Sequence, residues 1–167
     1  MKEMFVYDIT IDEDMMQQAE AAALRQMKEC KERAALLSRL IPFEGRYLTK
    51  RMEPEFAAAF PEFPYVRVGK RSSYCPTLCL HLSNSGNRYE TFDLASPEDR
   101  RVSLDMIKRQ MEAEEKEAQE YADALSIFRE NAAQWNNLMA YAATLYGPIY
   151  TMMGKCRDWR ADRIRRL

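Results

Sequence analysis

Apolar residues recur at alternating spacings of three and four along two long stretches of this chain. The first stretch extends from about Ile11 to Leu40 and stops before Pro42, and the second extends from Ser96 to Tyr146. Such spacings return to one face of an α-helix, so both stretches are predicted to be long amphipathic helices. The apolar rows of the second stretch repeat every seven residues, which predicts a helix that packs lengthwise against another helix.

Capping residues mark where the two helices are expected to begin. Thr10 and Glu13 fit a capping box, in which each side chain bonds to the backbone at the other position. Ser96 followed by Pro97 fits a serine cap with proline at the first helical position. The sequence therefore predicts helix starts near residue 11 and at residue 97.

Between the two helices, residues 42–95 change to a period of two. The alternation is clearest at 77–83, with three leucines on one face and Thr77, Cys79 and His81 on the other. This pattern predicts a small antiparallel sheet inserted between the helices. The other predicted elements are a strand at 46–50, a short helix at 54–60, a strand at 65–68, a turn at 84–87 and a return strand at 88–94.

The last segment, residues 147–167, begins with Gly147-Pro148 and carries six basic residues against two acidic ones. Proline disfavours the helical conformation of the residue before it, so the long helix is predicted to break here. The apolar register continues to Ile149, and both a fold-back over the long helix and a simple kink fit this pattern. The basic residues predicted to form a face of a C-terminal helix are Arg157, Arg160, Arg163, Arg165 and Arg166.

Together these elements predict an α+β fold: two long antiparallel, coiled-coil-like helices joined through a small antiparallel β-sheet head, and a C-terminal helix. A length of 167 residues favours a single domain. Because a longer loop costs little more entropy to close than a short one, we expect the helices to pair within one chain, which favours a monomer over a homodimer. The predicted parts are an N-terminal strand or arm and helix at 1–41, the β-rich head at 42–95, the long helix at 96–146 and the C-terminal basic helix at 147–167.

Composition and charge narrow the classes of function. The net charge is -1, so any surface that binds a polyanion must be local rather than a property of the whole chain. The four cysteines do not form a dense framework and are expected to be reduced thiols, as in the cytoplasm. The sequence shows no apolar run of the kind found in signal peptides or membrane helices, so we predict a cytoplasmic protein without membrane contact.

Few residues could carry catalysis or bind a metal. His81 is the single histidine, and Cys75 and Cys79 precede it closely. Their spacing does not fit a zinc site, and alternate residues of one strand lie side by side rather than opposed, as a nucleophile and its base would. The sequence also lacks a glycine-rich phosphate loop. We therefore predict no enzyme activity, no cofactor and no metal.

Basic and aromatic residues are interleaved in the head. Single-stranded nucleic acid is bound by such mixtures, in which rings stack on bases and cations follow the phosphates. No RNP-type motif accompanies the pattern, and sheets ordinarily contain half-buried aromatic residues flanked by lysine and arginine. The candidate partner-binding residues are Arg46, Tyr47, Lys50, Arg51, Arg67, Lys70, Arg71 and Tyr74.

We predict a non-enzymatic protein that binds a macromolecular partner, in the first place another protein. Small proteins with a long helical pair and a sheet head are often adaptors or inhibitors, such as an inhibitor from a phage or mobile element, although this rests on analogy between folds. The alternative is a nucleic-acid-binding accessory protein that uses the basic and aromatic head or the basic C-terminal helix.

Overall fold

The fold is α+β, as the sequence predicts. The computed structural model describes the backbone of residues 5–7, 11–156 and 164–166 and the side chains of residues 11–156. A short helix and a three-stranded antiparallel sheet lie between two long helices along the chain. In chain order the elements are β1 (Phe5–Tyr7), α1 (Glu13–Ser38), α2 (Glu53–Ala59), β2 (Tyr65–Lys70), β3 (Leu78–Ser83), β4 (Tyr89–Ala95), α3 (Leu104–Asn131), α4 (Trp135–Ala142), α5 (Tyr146–Met153) and β5 (Ile164–Arg166).

The chain divides into two compact units. Residues 32–115 form one of them, called here the sheet unit, and residues 1–31 and 116–167 form the other, called here the helical unit. The helices α1 and α3 each cross the boundary, so each contributes residues to both units.

Asp12 is the N-cap of the first long helix. Its carboxylate accepts a hydrogen bond from the backbone N–H of Met15 at 2.8 Å, and α1 begins at Glu13. An aspartate is favoured here because its charge also complements the positive end of the helix dipole. Thr10, the residue predicted to cap this helix, lies outside the described residues. The helix ends at Ser38, close to its predicted end.

The second long helix begins at Leu104, later than the Ser96 cap predicted. The Ser96 hydroxyl does accept a hydrogen bond from the N–H of Asp99 at 3.2 Å, but it caps only a single turn. Arg100 then adopts a left-handed backbone with a φ of 61°, which a continuing helix cannot contain. Ser103 caps the long helix, because its hydroxyl accepts a hydrogen bond from an N–H in the first turn of α3.

A short antiparallel pairing explains why the first turn does not continue. Tyr47 forms an isolated bridge with Arg101, and the N–H of Leu48 donates to the carbonyl oxygen of Arg100 at 2.8 Å. These contacts hold the chain extended after the single turn. The strand predicted at 46–50 is reduced to this bridge.

The long helix also ends earlier than predicted, at Asn131. The side-chain amide of Asn131 donates to the carbonyl oxygen of Ile127 at 2.9 Å and so competes with the backbone bonds of the helix. The apolar rows continue through two separate helices, α4 from Trp135 and α5 from Tyr146. The Gly-Pro pair at 147–148 lies in the first turn of α5, where proline is tolerated, and does not end a helix.

The C-terminal helix is α5, and it is shorter than predicted. It ends at Met153, and the described residues 164–166 form β5, which pairs antiparallel with β1 in the register Phe5↔Arg166. Two of the residues assigned to a basic helical face, Arg165 and Arg166, therefore lie in a strand. The other three, Arg157, Arg160 and Arg163, lie outside the described residues.

The core of the sheet unit lies under one face of the sheet. The strands are antiparallel in the order β2-β3-β4, and Val68, Leu80 and Phe92 face each other across them. These side chains share one buried cluster with Phe56 of α2 and Ile107 of α3. The alternating apolar residues of the strands thus form the inner face of the sheet, which is covered by helices.

In the helical unit the long helices run antiparallel, as predicted. The N–H of Ile11, just before α1, donates to the carbonyl oxygen of Ala132, just after α3, at 3.1 Å. Further along α1, Glu20 accepts a hydrogen bond from Arg129, which lies earlier in α3. Later residues of one helix therefore meet earlier residues of the other.

The C-terminal helices complete the helical unit. Trp135 and Leu138 of α4 are buried in one cluster with Ile149 and Met152 of α5. Phe128, near the end of α3, belongs to the same cluster and is fully buried. The end of the long helix is thus covered by chain that follows it, which is the fold-back alternative of the sequence analysis.

Candidate binding face of the sheet

The sheet of the sheet unit has a buried inner face and an outer face that is exposed at Tyr65, Arg67 and Tyr89 and buried at Cys79 and His81. Alternation along β3 turns its three leucines inward and Cys79 and His81 to the other side, as predicted, and Ser83 follows them on that side. The strand registers place residues of β2 and β4 beside these three on the same side. The outer face is defined here as Tyr65, Arg67, Gly69, Cys79, His81, Ser83, Tyr89, Thr91 and Asp93.

The outer face consists of three rows, each with one residue from every strand. The first row places Ser83 between the exposed rings of Tyr65 and Tyr89, which are 63% and 60% exposed. Rings that stay this exposed in a folded sheet are available to a partner. The second row is Arg67, His81 and Thr91, and the third is Gly69, Cys79 and Asp93.

His81 is 6% exposed and is held by three polar contacts. Its Nε2 donates to the carbonyl oxygen of Lys70 at 3.2 Å, so Nδ1 accepts from the hydroxyl of Tyr89 at 2.7 Å and lies 3.2 Å from the Thr91 hydroxyl. Burial lowers the pKa of His81 and the charge of Arg67 lowers it further, although the Lys70 carbonyl opposes them. The imidazole is therefore neutral at pH 7 and forms part of the floor of the outer face.

Cys79 and Arg71 share one acceptor on Asp93. The Cys79 thiol lies 3.1 Å from Oδ1 of Asp93, and Nε of Arg71 donates to the same oxygen at 2.8 Å. Burial and the hydrogen bond to Asp93 raise the pKa of Cys79 to about 12. Burial opposes ionisation of Asp93, but the hydrogen bonds from Arg71 and Cys79 outweigh it and lower the pKa of Asp93. Cys79 is therefore a protonated thiol next to an ionised carboxylate that pairs with Arg71.

A shallow concavity of about 450 Å³ lies over the first two rows. Among the described residues it is lined by no carboxylate and by one charged side chain, Arg67. Arg67 has no ion-pair partner among the described residues. The concavity therefore combines exposed aromatic rings with an unpaired guanidinium. Its lining residues are Pro64, Tyr65, Val66, Arg67, His81, Ser83 and Tyr89.

Side chains occupy hydrogen-bonding positions on both edges of the sheet. On β2, the carboxylate of Glu53 accepts from the N–H of Val68 at 2.9 Å. On β4, the side chain of Gln110 accepts from the N–H of Asp93 at 2.9 Å and donates to the Asp93 carbonyl oxygen at 2.7 Å. Edge groups that are already satisfied are poor templates for an added strand. A partner would therefore meet the outer face rather than either edge at these positions.

Like Arg71, the predicted partner-binding residues Arg46 and Tyr47 contact other side chains of this protein. Arg46 donates two hydrogen bonds to the Glu55 carboxylate, at 2.5 and 2.7 Å, and these bonds raise the pKa of Arg46 and lower that of Glu55. The guanidinium of Arg101 lies 5.4 Å from the ring centre of Tyr47. Neither Arg46 nor Tyr47 is part of the outer face.

The structure distributes the remaining predicted residues over several surfaces. Arg67 lies in the outer face and Arg71 lies beside it through Asp93. The others lie elsewhere: Lys50 and Arg51 in a 3-10 turn before α2, Lys70 at the end of β2 on the opposite side from Arg67, and Tyr74 in the β2–β3 loop, 99% exposed.

Tyr89, Thr91 and Asp93 of β4 are not among the candidate residues of the sequence analysis. Their place in the outer face depends on the register between β3 and β4, which the turn between these strands sets. The loop is tighter than a simple four-residue turn: the N–H of Asn84 donates to the carbonyl oxygen of Arg88 at 3.1 Å, and Asn87 has a φ of 63°. A three-residue loop that ends in a left-handed residue sets Ser83 opposite Tyr89. The left-handed preference of asparagine in Asn87 is the sequence signal that could have fixed this register.

The histidine and the cysteine of the outer face are engaged within the protein. Both nitrogens of His81 contact protein atoms, and the Cys79 thiol contacts Asp93. In the part of the chain that the structure describes, the outer face does not bring three metal-ligating side chains together.

Comparisons with known proteins do not assign this chain to a family. Neither the family models nor the curated proteins and solved structures compared with it gave a match. Among the described residues, no helix is both long enough and apolar enough to cross a membrane. Function is therefore argued from the outer face alone.

Proposed function

We propose that this protein binds a protein partner through the outer face of its sheet and performs no catalysis. The observation that carries this proposal is the pair of exposed tyrosines, Tyr65 and Tyr89, beside a concavity on a sheet whose other face belongs to the buried core. Tyrosine and arginine are the residues most often found at the energetic centres of protein interfaces. A role as adaptor or inhibitor is consistent with a binding face of this kind.

The charges of the sheet unit favour protein over nucleic acid. Arg46 and Arg71, two of the cations that would have to contact phosphates, are already paired with Glu55 and Asp93. Binding to a polyanion would have to break these pairs or rely on the few remaining cations. Protein interfaces need no such concentration of free positive charge.

The state of the titratable groups supports a role without catalysis. A general base or nucleophile needs a pKa close to the working pH and a free lone pair or thiolate. Burial lowers the pKa of His81 and its Nδ1 accepts from Tyr89, while the pKa of Cys79 is raised to about 12. Both groups are engaged as structural hydrogen-bond partners.

Nucleic-acid binding remains the second candidate, and one observation favours it. Arg67 is unpaired among the described residues and lies two residues from the exposed ring of Tyr65 on the same strand face. A ring and a cation at this spacing could hold a base and its phosphate. Oligonucleotide binding tighter than about 1 μM at 150 mM salt would decide for this candidate, since non-specific affinities there are about 10⁻⁴–10⁻⁶ M.

Affinity capture from a lysate of the source organism, followed by titration with the purified captured protein, tests the primary proposal. We expect the Tyr65→Ala/Tyr89→Ala variant to lose at least tenfold in affinity for the captured partner. Tyr74→Ala is the matched control, because Tyr74 is 99% exposed but lies outside the outer face. Circular dichroism checks that the variants fold. Equal affinity of wild type and the double variant would contradict the proposal.

A further inference from the structure

The first two rows of the outer face present a ring site and a charge site at a fixed separation. Tyr65 and Arg67 are two residues apart on β2 and point to the same side. Two residues of an extended strand span about 7 Å. Any partner group that meets both sites must therefore carry its own two features at about this distance.

The ring site is formed by Tyr65 and Tyr89, which stand on the two outer strands on either side of Ser83. Their backbones are separated by two strand spacings, or about 9.5 Å. The hydroxyl of Tyr89 bonds to Nδ1 of His81 at 2.7 Å, which fixes that ring on the outer face, and the Tyr65 ring is 63% exposed. A ring from a partner can pack against these tyrosines, since aromatic pairs prefer offset or edge-to-face contacts with ring centroids about 4.5–7 Å apart.

The charge site is Arg67, and its surroundings select a negative partner. The concavity contains no carboxylate, and His81 beside Arg67 is uncharged because burial lowers its pKa. Asp93 is the one acidic residue of the outer face as defined above, and it already accepts hydrogen bonds from Arg71 and Cys79. A guanidinium in this position is best complemented by a carboxylate, which it can bind through two parallel hydrogen bonds.

We infer that the outer face binds an extended segment of a protein partner with an aromatic or proline ring two residues from an aspartate or glutamate. In an extended chain, side chains two residues apart project to the same side about 7 Å apart, which matches the separation of the ring site and the charge site. The ring packs against Tyr65 and Tyr89, and the carboxylate pairs with Arg67. This inference rests on the proposed function and specifies the chemistry of the partner.

Selection from an unbiased displayed library of 12-residue peptides tests the inference without knowledge of the natural partner. The wild type and the variants Arg67→Gln and Tyr65→Ala/Tyr89→Ala serve as baits. We expect the wild type to enrich peptides with a ring and an acid two residues apart. We expect Arg67→Gln to keep the preference for the ring and to lose the preference for the acid.

A synthetic peptide from the selection and its counterpart with glutamine in place of the acid then give affinities. We expect the acidic peptide to bind about tenfold more tightly to the wild type, and the two peptides to bind equally to Arg67→Gln, as for two groups that contact each other. Arg51→Gln is the matched control, since Arg51 is an exposed arginine outside the outer face. It should retain the full preference.

Each contrary outcome has a separate meaning. Enriched peptides that need the tyrosines but contain no acid would overturn the inference and leave the proposed function standing. Binding that requires a free peptide C-terminus, and is lost on amidation, would overturn the assignment of the carboxylate to a side chain. No enrichment over the double tyrosine variant would also overturn the inference, while lysate capture would still decide the proposed function independently.

Discussion

The two units of this protein differ in the size of the side chains that form their cores. The sheet unit buries large groups, with Phe56, Phe60 and Phe92 at most 1% exposed. The helical unit also buries large side chains such as Phe128, but along its two long helices it adds small ones, with Ala19, Ala23 and Ala124 fully buried. Small residues let helix backbones approach closely, whereas a sheet packed by helices needs bulky side chains to fill the space between layers.

This difference decides which surface is free for function. In the sheet unit one face of each strand supplies the core, so the other face can carry exposed tyrosines without loss of packing. In the helical unit the apolar cluster draws on α1, α3, α4 and α5 together. A binding surface is therefore easier to vary on the sheet, where alternate residues are independent of the core.

The largest effect is expected from removing one buried ring in each unit. Phe92→Ala and Phe128→Ala should each lower the free energy of unfolding by about 3–5 kcal/mol, measured by urea titration. Trp135 lies in the helical unit, so in a Trp159→Phe background tryptophan emission reports that unit while circular dichroism reports the whole chain. Because α1 and α3 run through both units, we expect Phe92→Ala to shift the tryptophan midpoint too. An unchanged midpoint would show that the units unfold independently.

A smaller change tests the cover that α5 gives to Trp135. Met152 is fully buried in the same cluster as Trp135, and Met152→Ala should cost about 2–5 kcal/mol and red-shift the tryptophan emission. The experiment needs a Trp159→Phe background so that one fluorophore is observed. Tyr150→Ala, from the exposed side of α5, is the control. Emission that stays at the wild-type wavelength in Met152→Ala would refute a covering role for this helix.

Removing the side chain that bonds to the edge of β4 should lower the free energy of unfolding by a moderate amount. Gln110→Ala deletes two hydrogen bonds to the backbone of Asp93, with an expected cost of about 1–3 kcal/mol. The freed edge groups should also increase self-association at high concentration, which light scattering detects. Lys108→Ala, an exposed residue of the same helix, should change neither quantity. Unaltered stability in Gln110→Ala would mean that water replaces the side chain at no cost.

The smallest expected effect is a pH dependence from His81. Its pKa is lowered in the folded protein by burial and by Arg67 and Arg71, so the unfolded chain binds the proton more readily. Stability is therefore complete above the unfolded pKa near 6.5 and falls as the pH drops toward the folded value, by at most about 1.4 kcal/mol per pH unit.

The single histidine makes this window simple to assign. Between pH 7.5 and 5.5 we expect unfolding free energies of the wild type to decline more steeply than those of His81→Gln. Asp93, whose pKa is lowered, contributes a similar loss only at more acidic pH, below the range of the experiment. Parallel slopes for wild type and variant would contradict the assignment.

The sheet could be predicted from the sequence because the patterns that indicate it are local. The leucine alternation of β3 and the turn after Ser83 act within a few residues, and both are confirmed. The outer face was only partly anticipated, since Arg67 was named but Tyr89 was not. Its assignment to the face required the register, which a single left-handed residue, Asn87, determines.

The ends of α3 could not be predicted in the same way. The serine cap at Ser96 has the expected hydrogen bond, yet the pairing of Tyr47 with Arg101 overrides it. At the other end, α3 stops at Asn131 although the sequence has no proline or glycine between residues 98 and 146. Burial of Trp135 together with residues of α5 depends on contacts between distant parts of the chain, which periodicity does not contain.

The continuity of the sheet unit has a consequence for synthesis on the ribosome. Residues 32–115 are one uninterrupted segment, so all of its partners are available once that segment has emerged. The helical unit joins the first residues to the last, as in the bond between Arg129 and Glu20, which are separated by 109 positions. Contacts of such separation form late and slowly. Residues 13–31 of α1 must therefore wait, with their apolar stripe uncovered, until translation has delivered the C-terminal third of the chain.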